Sequence, residues 1–262
     1  KLCRALDFPA TVDAAWEVSD GEGTYFCLNP VRHDLTTGAK DADVLERRWF
    51  LIDIDHQRPT KTNATEAEKS LASQTARNVC AYLCDTLGWP CPLITDSGNG
   101  WHLLFRVDLP NDPLSRQWIR DALKALAARF DTDQVKIDKS VHNASRICKL
   151  PGTWARKGPH SEERPHRLAK IVFEPETPTV ITIEQLKSLS RPTTQQSANG
   201  SPFFQTATSG TGWKAYIRAA IERECGRLAM TPPGNRDNQL NASAYSLGQF
   251  EAWPEMAKET AR

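Results

Sequence analysis

The sequence has no long hydrophobic run, no C-x-x-C cysteine pair and almost no net charge. No apolar stretch reaches about 18 residues, so we expect no membrane-spanning helix. The seven cysteines are an odd number, which favours free thiols in a reducing cytoplasm over a disulfide framework. A net charge of +1 argues against a chain whose entire surface binds nucleic acid.

The composition is that of a globular protein. With 262 residues, of which 39% are hydrophobic, the chain is long enough for one large domain, or for one domain with an appendage. It begins at Lys1 rather than Met and stops at Arg262 inside a predicted helix. We therefore expect it to be a piece of a longer protein.

Apolar periodicity, capping residues and turn residues predict an alternation of strands and helices. The predicted strands are 24–28, 48–55, 92–96, 101–107, 134–137 and 168–173. The predicted helices are 66–87, 113–130, 182–189, 213–229 and 237–250. This order indicates an α+β main domain over residues 1–190. A Ser-, Thr-, Gln- and Gly-rich linker over 191–212 then leads to a helical C-terminal segment over 213–262.

Three of the cysteines lie close together in sequence. Cys80 and Cys84 are four residues apart in a predicted helix, and Cys91 follows shortly after. Two interpretations are open, a zinc site and small thiols on the buried face of the helix.

Asp53 and Asp55 form a D-x-D pair at the end of the strongest strand signal. Residues i and i+2 of a strand point to the same face, so the two carboxylates would stand side by side while Ile52 and Ile54 are buried. Paired hard oxygen donors suit Mg²⁺ or Mn²⁺. A strand end that simply turns into solvent is the alternative.

The segment Ser97-Gly98-Asn99-Gly100-Trp101-His102 combines a tight turn with a histidine on the following strand. Glycines let backbone N–H groups approach a ligand closely, and both the Ser97 hydroxyl and His102 could reach a phosphate. A plain hairpin turn with an incidental histidine is the alternative.

A third acidic position, Asp138, follows the apolar Ile137 and precedes the cations Arg146 and Lys149. Over residues 136–170 nine Lys and Arg face three acidic residues, a local basic excess that suits phosphates or a solvated surface. Nearby aromatic and cationic residues suit single-stranded nucleic acid, although Trp154 could instead pack in the core. These are Trp154, Arg156, His166 and Arg167.

Taken in order, the three motifs resemble those of the archaeo-eukaryotic primase superfamily, in its primase-polymerase branch of phages, plasmids and bacteria. The resemblance covers residues 20–175 and rests on RRWFLIDID, SGNGWHLLF and IDKSVHNASRICKLPGTWARKG. A weaker resemblance, GNRDNQLNASAYSLG over 234–248, is to the helical segment that often follows this catalytic domain.

The resemblance implies a catalytic domain with an RRM-like mixed sheet and packed helices. Asp53, Asp55 and Asp138 would be catalytic residues that hold two Mg²⁺ or Mn²⁺ ions. The triphosphate of the incoming nucleotide would be held by a second set, namely Ser97, Gly98, Gly100, His102, Arg146 and Lys149.

It further implies a DNA primase and polymerase acting in DNA replication on a single-stranded DNA template, with nucleoside or deoxynucleoside triphosphates as substrates. A helicase domain or other replication proteins would be partners, in the cytoplasm of a bacterial host.

Other functions fit the residues less well. A non-catalytic replication initiator would not need three carboxylates facing phosphate. A manganese-dependent glycosyltransferase shares the D-x-D pair but not the other two motifs. A relaxase would need a histidine–hydrophobic–histidine motif, which the sequence lacks.

Overall fold

The computed structural model describes residues 23–190, 213–232 and 234–248. The predicted linker over 191–212 lies outside the described residues. The strands are β1 (Tyr25–Cys27), β2 (Glu46–His56), β3 (Leu93–Asp96), β4 (Trp101–Pro110), β5 (Val135–Ile137), β6 (Ile147–Lys149), β7 (Trp154–Ala155), β8 (Arg167–Leu168) and β9 (Lys170–Phe173). The α-helices are α1 (Glu66–Ala81), α2 (Pro113–Phe130), α3 (Ile183–Ser188), α4 (Trp213–Met230) and α5 (Arg236–Gly248).

The protein has a mixed α+β fold built on a five-stranded antiparallel sheet. The strand order is β5-β2-β4-β3-β9, and every pairing between these strands is antiparallel, whereas a mixed sheet was expected. In the described residues the parallel pairing is confined to an isolated bridge between Arg106 and Val180. The two longest strands, β2 and β4, lie in the middle of the sheet.

The large side chains of this sheet that are fully buried lie on one of its faces. Alternate residues of its strands, including Phe50, Ile52, Ile54, Ile94 and Leu103, are completely buried there. The buried faces of α1 and α2 supply further small and branched side chains. Each large apolar side chain contributes roughly 1.5–3 kcal/mol when fully buried, so this face stabilises the fold.

The helix ends follow from capping residues that the sequence makes visible. Thr65 and Glu68 exchange hydrogen bonds with each other's backbone N–H, which forms the predicted capping box of α1. Asp112 accepts a hydrogen bond of 2.7 Å from Ser115 N and caps α2, with Pro113 in the first helical position. The predicted helix 66–87 continues past Ala81 as a π-helical turn over Tyr82–Thr86, and Gly88 follows with φ +67°.

One predicted strand, 168–173, is divided in the structure. Arg167 and Leu168 pair with β7, whereas Lys170–Phe173 pair with β3 in the main sheet. The division falls at Ala169, whose N–H donates to Thr153 O and whose carbonyl accepts from Gly152 N. Periodicity could not predict this division, because it depends on hydrogen bonds to a distant loop.

The chain divides into two compact units, one of residues 1–80 with 90–191 and the other of 81–89 with 192–262. The second unit includes α4 and α5, which agree with the helices predicted for this segment. There the Ser243 hydroxyl donates to the buried Glu224 carboxylate at 2.9 Å. Among the described residues, no helix has the length and apolar character needed to cross a membrane.

Candidate active site

Asp53 and Asp55 lie on the sheet face opposite the core. Ile52 and Ile54 are completely buried, and the two aspartates between and after them are partly exposed, as the alternation predicts. Asp55 lies near Arg58, whose Nη1 is 3.4 Å from its Oδ1. The strand therefore presents both carboxylates on one surface.

Asp138 joins them from the neighbouring strand. β5 pairs with β2, and just beyond the strand end the Asp138 N–H donates to Asp53 O at 2.9 Å. The Asp138 carboxylate caps a short 3-10 helix by accepting from Ser140 N at 2.7 Å, and Arg146 lies 4.0 Å away. The first and third sequence motifs thus meet at adjacent backbone positions.

His102 lies directly across from Asp53. The two residues are register partners in β4 and β2, and His102 Nε2 is 3.5 Å from Asp53 Oδ1. The opposite ring nitrogen, Nδ1, is 3.2 Å from Cys148 Sγ and 3.3 Å from Thr95 Oγ1. Strands β3, β4 and β6 together fix the imidazole.

The three carboxylates of the acidic cluster repel one another. Burial raises the pKa of Asp53 well above its usual range, and the neighbouring Asp55 and Asp138 raise it further. Lys157 and Arg146 oppose this effect only in part. A divalent cation would relieve the repulsion, so the chemistry of these donors fits a Mg²⁺ or Mn²⁺ ion.

His102 is a neutral imidazole at physiological pH. Burial lowers its pKa to about 4, although Asp55 acts in the opposite direction. Burial also raises the pKa of Cys148 to about 12, so this residue stays a thiol and can donate S–H to Nδ1. In the tautomer whose Nδ1 accepts the Cys148 S–H, the proton lies on Nε2, which faces Asp53 and can donate to an anionic oxygen.

The Ser97–Gly100 turn is held by its own hydrogen bonds. Ser97 Oγ accepts from Gly100 N at 2.9 Å and Asn99 N at 3.4 Å, and the Gly98 N–H donates to Asp96 Oδ1 at 2.8 Å. Asp96 is in turn paired with Lys69 at 2.6 Å. Because these N–H groups already have partners inside the turn, a phosphate role for Ser97, Gly98 and Gly100 stays a prediction.

Both glycines of the turn are required by close packing. A Cβ on Gly100 would lie 2.0 Å from Asp55 Oδ1 and 2.6 Å from Ile54 O. At Gly98, where φ is +89°, a Cβ would lie 2.6 Å from Ala155 Cβ. The absence of a side chain at Gly100 therefore leaves room for the Asp55 carboxylate, a structural role that the sequence did not indicate.

Lys149 is buried in the separate two-stranded sheet of β1 and β6. It lies in β6, opposite Tyr25 in β1, and its Nζ donates to Trp154 O at 2.7 Å and lies 5.4 Å from the Tyr25 ring. Burial, together with the nearby Arg156, lowers the pKa of Lys149 to about 8. Lys149 is thus poised between its charged and neutral forms near physiological pH.

The basic excess over 136–170 is smaller on the surface than the sequence suggests. Arg164 forms a two-pronged ion pair with Glu68, and Arg167 pairs with Glu66 at 2.6 Å. These arginines tie the loop to the start of α1 and are engaged there. Trp154, by contrast, is 41% exposed with Arg156 5.8 Å from its ring, so the alternative of core packing for Trp154 is wrong.

A scan against protein-family models finds no match, and a search of curated proteins finds no significant match. Within residues 23–190, 213–232 and 234–248, no group of three or more His, Cys, Asp or Glu side chains is arranged to hold a metal ion. The metal role of Asp53, Asp55 and Asp138 therefore stays a proposal. Cys80 and Cys84 are buried.

Two residues beside His102, namely Thr95 and Cys148, were not predicted from the sequence. Thr95 could have been found, because a four-residue turn over 97–100 places 95 and 102 opposite each other in a hairpin, as observed. Cys148 could not, because β6 belongs to a separate two-stranded sheet whose position is a tertiary feature.

Proposed function

We propose that the protein is a template-dependent nucleotidyltransferase, a primase-polymerase of the archaeo-eukaryotic primase superfamily. The observation that carries the proposal is that Asp53 lies against both His102 and Asp138. His102 Nε2 is 3.5 Å from Asp53 Oδ1, and the Asp138 N–H donates to Asp53 O at 2.9 Å. Residues far apart in sequence, one from each of the three motifs, thereby share one sheet face. The five-stranded sheet with helices is also compatible with the RRM-like fold proposed for this superfamily.

The three carboxylates would hold the divalent ions. Bound there, Mg²⁺ or Mn²⁺ would supply charge neutralisation and a more acidic attacking hydroxyl. Asp53 takes the central position, because the charges of both Asp55 and Asp138 raise the pKa of its carboxyl group. The absence of a side chain at Gly100 leaves the space that the Asp55 carboxylate occupies.

The neighbouring residues would bind and orient the triphosphate. His102 donates its Nε2 proton to a phosphate oxygen as a neutral group, since its pKa is about 4. Arg146 and Lys157, which already act on the charge of Asp53, offset the charge of the triphosphate. Such catalysis depends on positioning and electrostatics rather than on a covalent intermediate.

Incorporation of labelled nucleotides on single-stranded DNA, with and without a primer, tests this function. Products without a primer indicate a primase, and products only with a primer indicate a polymerase. DNA binding without incorporation under either condition would favour a non-catalytic replication initiator and overturn the proposal.

A further inference from the structure

A polar cavity lies at the end of the sheet far from Asp53. It has a volume of about 580 Å³ and is lined by the start of β2, the loop before it and the first turns of α2. Arg47 and Asp53 are six residues apart on β2, so the cavity lies about 20 Å along the strand from the candidate active site. A volume of this size is in the range of small-molecule sites.

Three arginines line this cavity. Arg47 comes from β2, and Arg116 and Arg120 come from successive turns of α2. The spacing of four residues places Arg116 and Arg120 on one side of the helix. A planar guanidinium with several donors is the side chain best suited to bind phosphate.

Arg47 is a charged side chain that is almost fully buried, with 3% of its surface exposed. Its Nη1 donates to His142 O at 3.0 Å, and within the described residues its buried Nε has no hydrogen-bond partner. The Nε of Arg120 also has no hydrogen-bond partner there, but it lies 4.0 Å from Asp121 Oδ1, and the Nη2 of Arg120 donates to Gln117 Oε1. Leaving buried charged donors unsatisfied is unfavourable, and an anion in the cavity would satisfy them.

Two aspartates also line the cavity, and their charges offset two of the three arginines. Asp112 caps α2 through Ser115 N at 2.7 Å, and Asp41 accepts from Ser145 N at 3.0 Å and from its hydroxyl at 2.8 Å. Asp41 lies 3.8 Å from Arg116. Three arginines against two aspartates leave one positive charge in excess. The N-terminal end of the 18-residue helix α2 adds its partial positive charge.

We propose that this cavity is an anion site that binds the phosphate groups of a small phosphorylated ligand, either free pyrophosphate or a nucleoside triphosphate. The site is separate from the acidic cluster and requires no metal ion. The proposal does not depend on the proposed nucleotidyl transfer. The cavity contains none of the three aspartates, none of the residues of the 97–100 turn, and not His102.

Calorimetric titration with pyrophosphate, and separately with ATP, tests the proposal in the presence of EDTA. Without divalent ions, the carboxylates around Asp53 repel phosphate, so binding reports on the arginine cavity. We expect a single molecule of either ligand per chain. Tighter binding of ATP would identify a nucleotide as the ligand, and equal binding would indicate recognition of the phosphates alone.

The matched variants are Arg116→Gln/Arg120→Gln in the cavity and Arg48→Gln/Arg129→Gln outside it. Arg116 and Arg120 are 50% and 42% exposed, so their loss should leave the fold intact, as circular dichroism would verify. Arg48 and Arg129 are exposed residues of the same strand and helix and do not line the cavity.

We expect the cavity variant to bind both ligands at least about tenfold more weakly, because it loses charge-assisted hydrogen bonds. The control variant should bind as the unchanged protein does. Absence of binding by the unchanged protein at millimolar ligand, or an equal loss in both variants, would overturn the proposal.

Discussion

The Nε2 atom of His102 lies 3.5 Å from Oδ1 of Asp53, at paired positions of two antiparallel strands. The imidazole is held from behind by Cys148 and Thr95, both on its Nδ1 side. The Nε2 nitrogen therefore faces the acidic cluster, which is where a bound triphosphate would lie in the proposed reaction.

The charge of Asp53 should make the protein's stability depend on pH and on divalent ions. In the folded protein its pKa is raised, so between the ordinary aspartate value of about 4 and that raised value the unfolded chain loses the proton first. Stability conferred by the protonated group is thus lost as the pH rises. In EDTA at pH 9, Asp53→Asn should increase the free energy of unfolding by on the order of 2 kcal/mol.

Urea unfolding with and without Mn²⁺ measures this effect. Mn²⁺ should stabilise the unchanged protein and not the Asp53→Asn variant. Asp108→Asn, at the distant end of β4 where the side chain is 64% exposed, serves as the control and should behave as the unchanged protein. If Asp53→Asn lowers stability in EDTA, then Asp53 does not carry unfavourable charge.

Gly100→Ala should disrupt the acidic cluster. Its Cβ would lie 2.0 Å from Asp55 Oδ1 and 2.6 Å from a backbone oxygen, so either the strand or the carboxylate must move. We expect a loss of about 1–3 kcal/mol in the free energy of unfolding, together with loss of Mn²⁺ binding. Gly38→Ala is the control, because nothing lies within 4 Å of that Cβ. Unchanged Mn²⁺ binding by a folded Gly100→Ala protein would contradict the role assigned to Asp55.

The tautomer of the His102 imidazole, and its binding to the nucleotide, should depend on Thr95 and Cys148. Thr95→Val and Cys148→Val each remove a hydrogen-bond partner of Nδ1, and one such hydrogen bond contributes about 1 kcal/mol, which corresponds to roughly a fivefold effect. We expect the KM for the nucleotide to rise by that factor, with ¹⁵N NMR reporting a change of the His102 tautomer. Cys80→Ala, a buried thiol on α1, should alter neither quantity.

Lys149 should titrate near pH 8. Its pKa is lowered by burial and by Arg156, so the folded protein releases this proton earlier than the unfolded chain, whose lysines titrate near ~10.4. The contribution of Lys149 to stability therefore increases as the pH rises between those two values. NMR of the lysine side chain should give the midpoint, and Arg156→Gln should raise it while Arg129→Gln leaves it unchanged. A midpoint near 10.4 in the unchanged protein would contradict this environment.

Local patterns predicted most elements of the fold. Three features depend only on residues close in sequence and could therefore be predicted. They are the strand at 49–52 with Asp53 and Asp55, the Asp112 cap and the Thr65–Glu68 capping box. What the sequence could not reveal depends on distant pairings. The division of 168–173 at Ala169 and the engagement of Arg164 with Glu68 belong to this class.

The residues of the candidate site also fall into those that local patterns predict and those that depend on distant pairings. Alternation alone places Asp53 and Asp55 on one face, and a hairpin register places Thr95 beside His102. The burial of Lys149 and the approach of Cys148 depend on the β1–β6 ribbon, whose contact with the main sheet no local pattern encodes.

Metal-dependent nucleotide incorporation on primed, single-stranded DNA tests the central claim most directly, with the unchanged protein compared with Asp53→Asn and Asp108→Asn. The account predicts Mg²⁺- or Mn²⁺-dependent products from the unchanged protein and from Asp108→Asn, and none from a folded Asp53→Asn protein. Equal incorporation by Asp53→Asn, or none by the unchanged protein with its DNA binding intact, would contradict the proposed function.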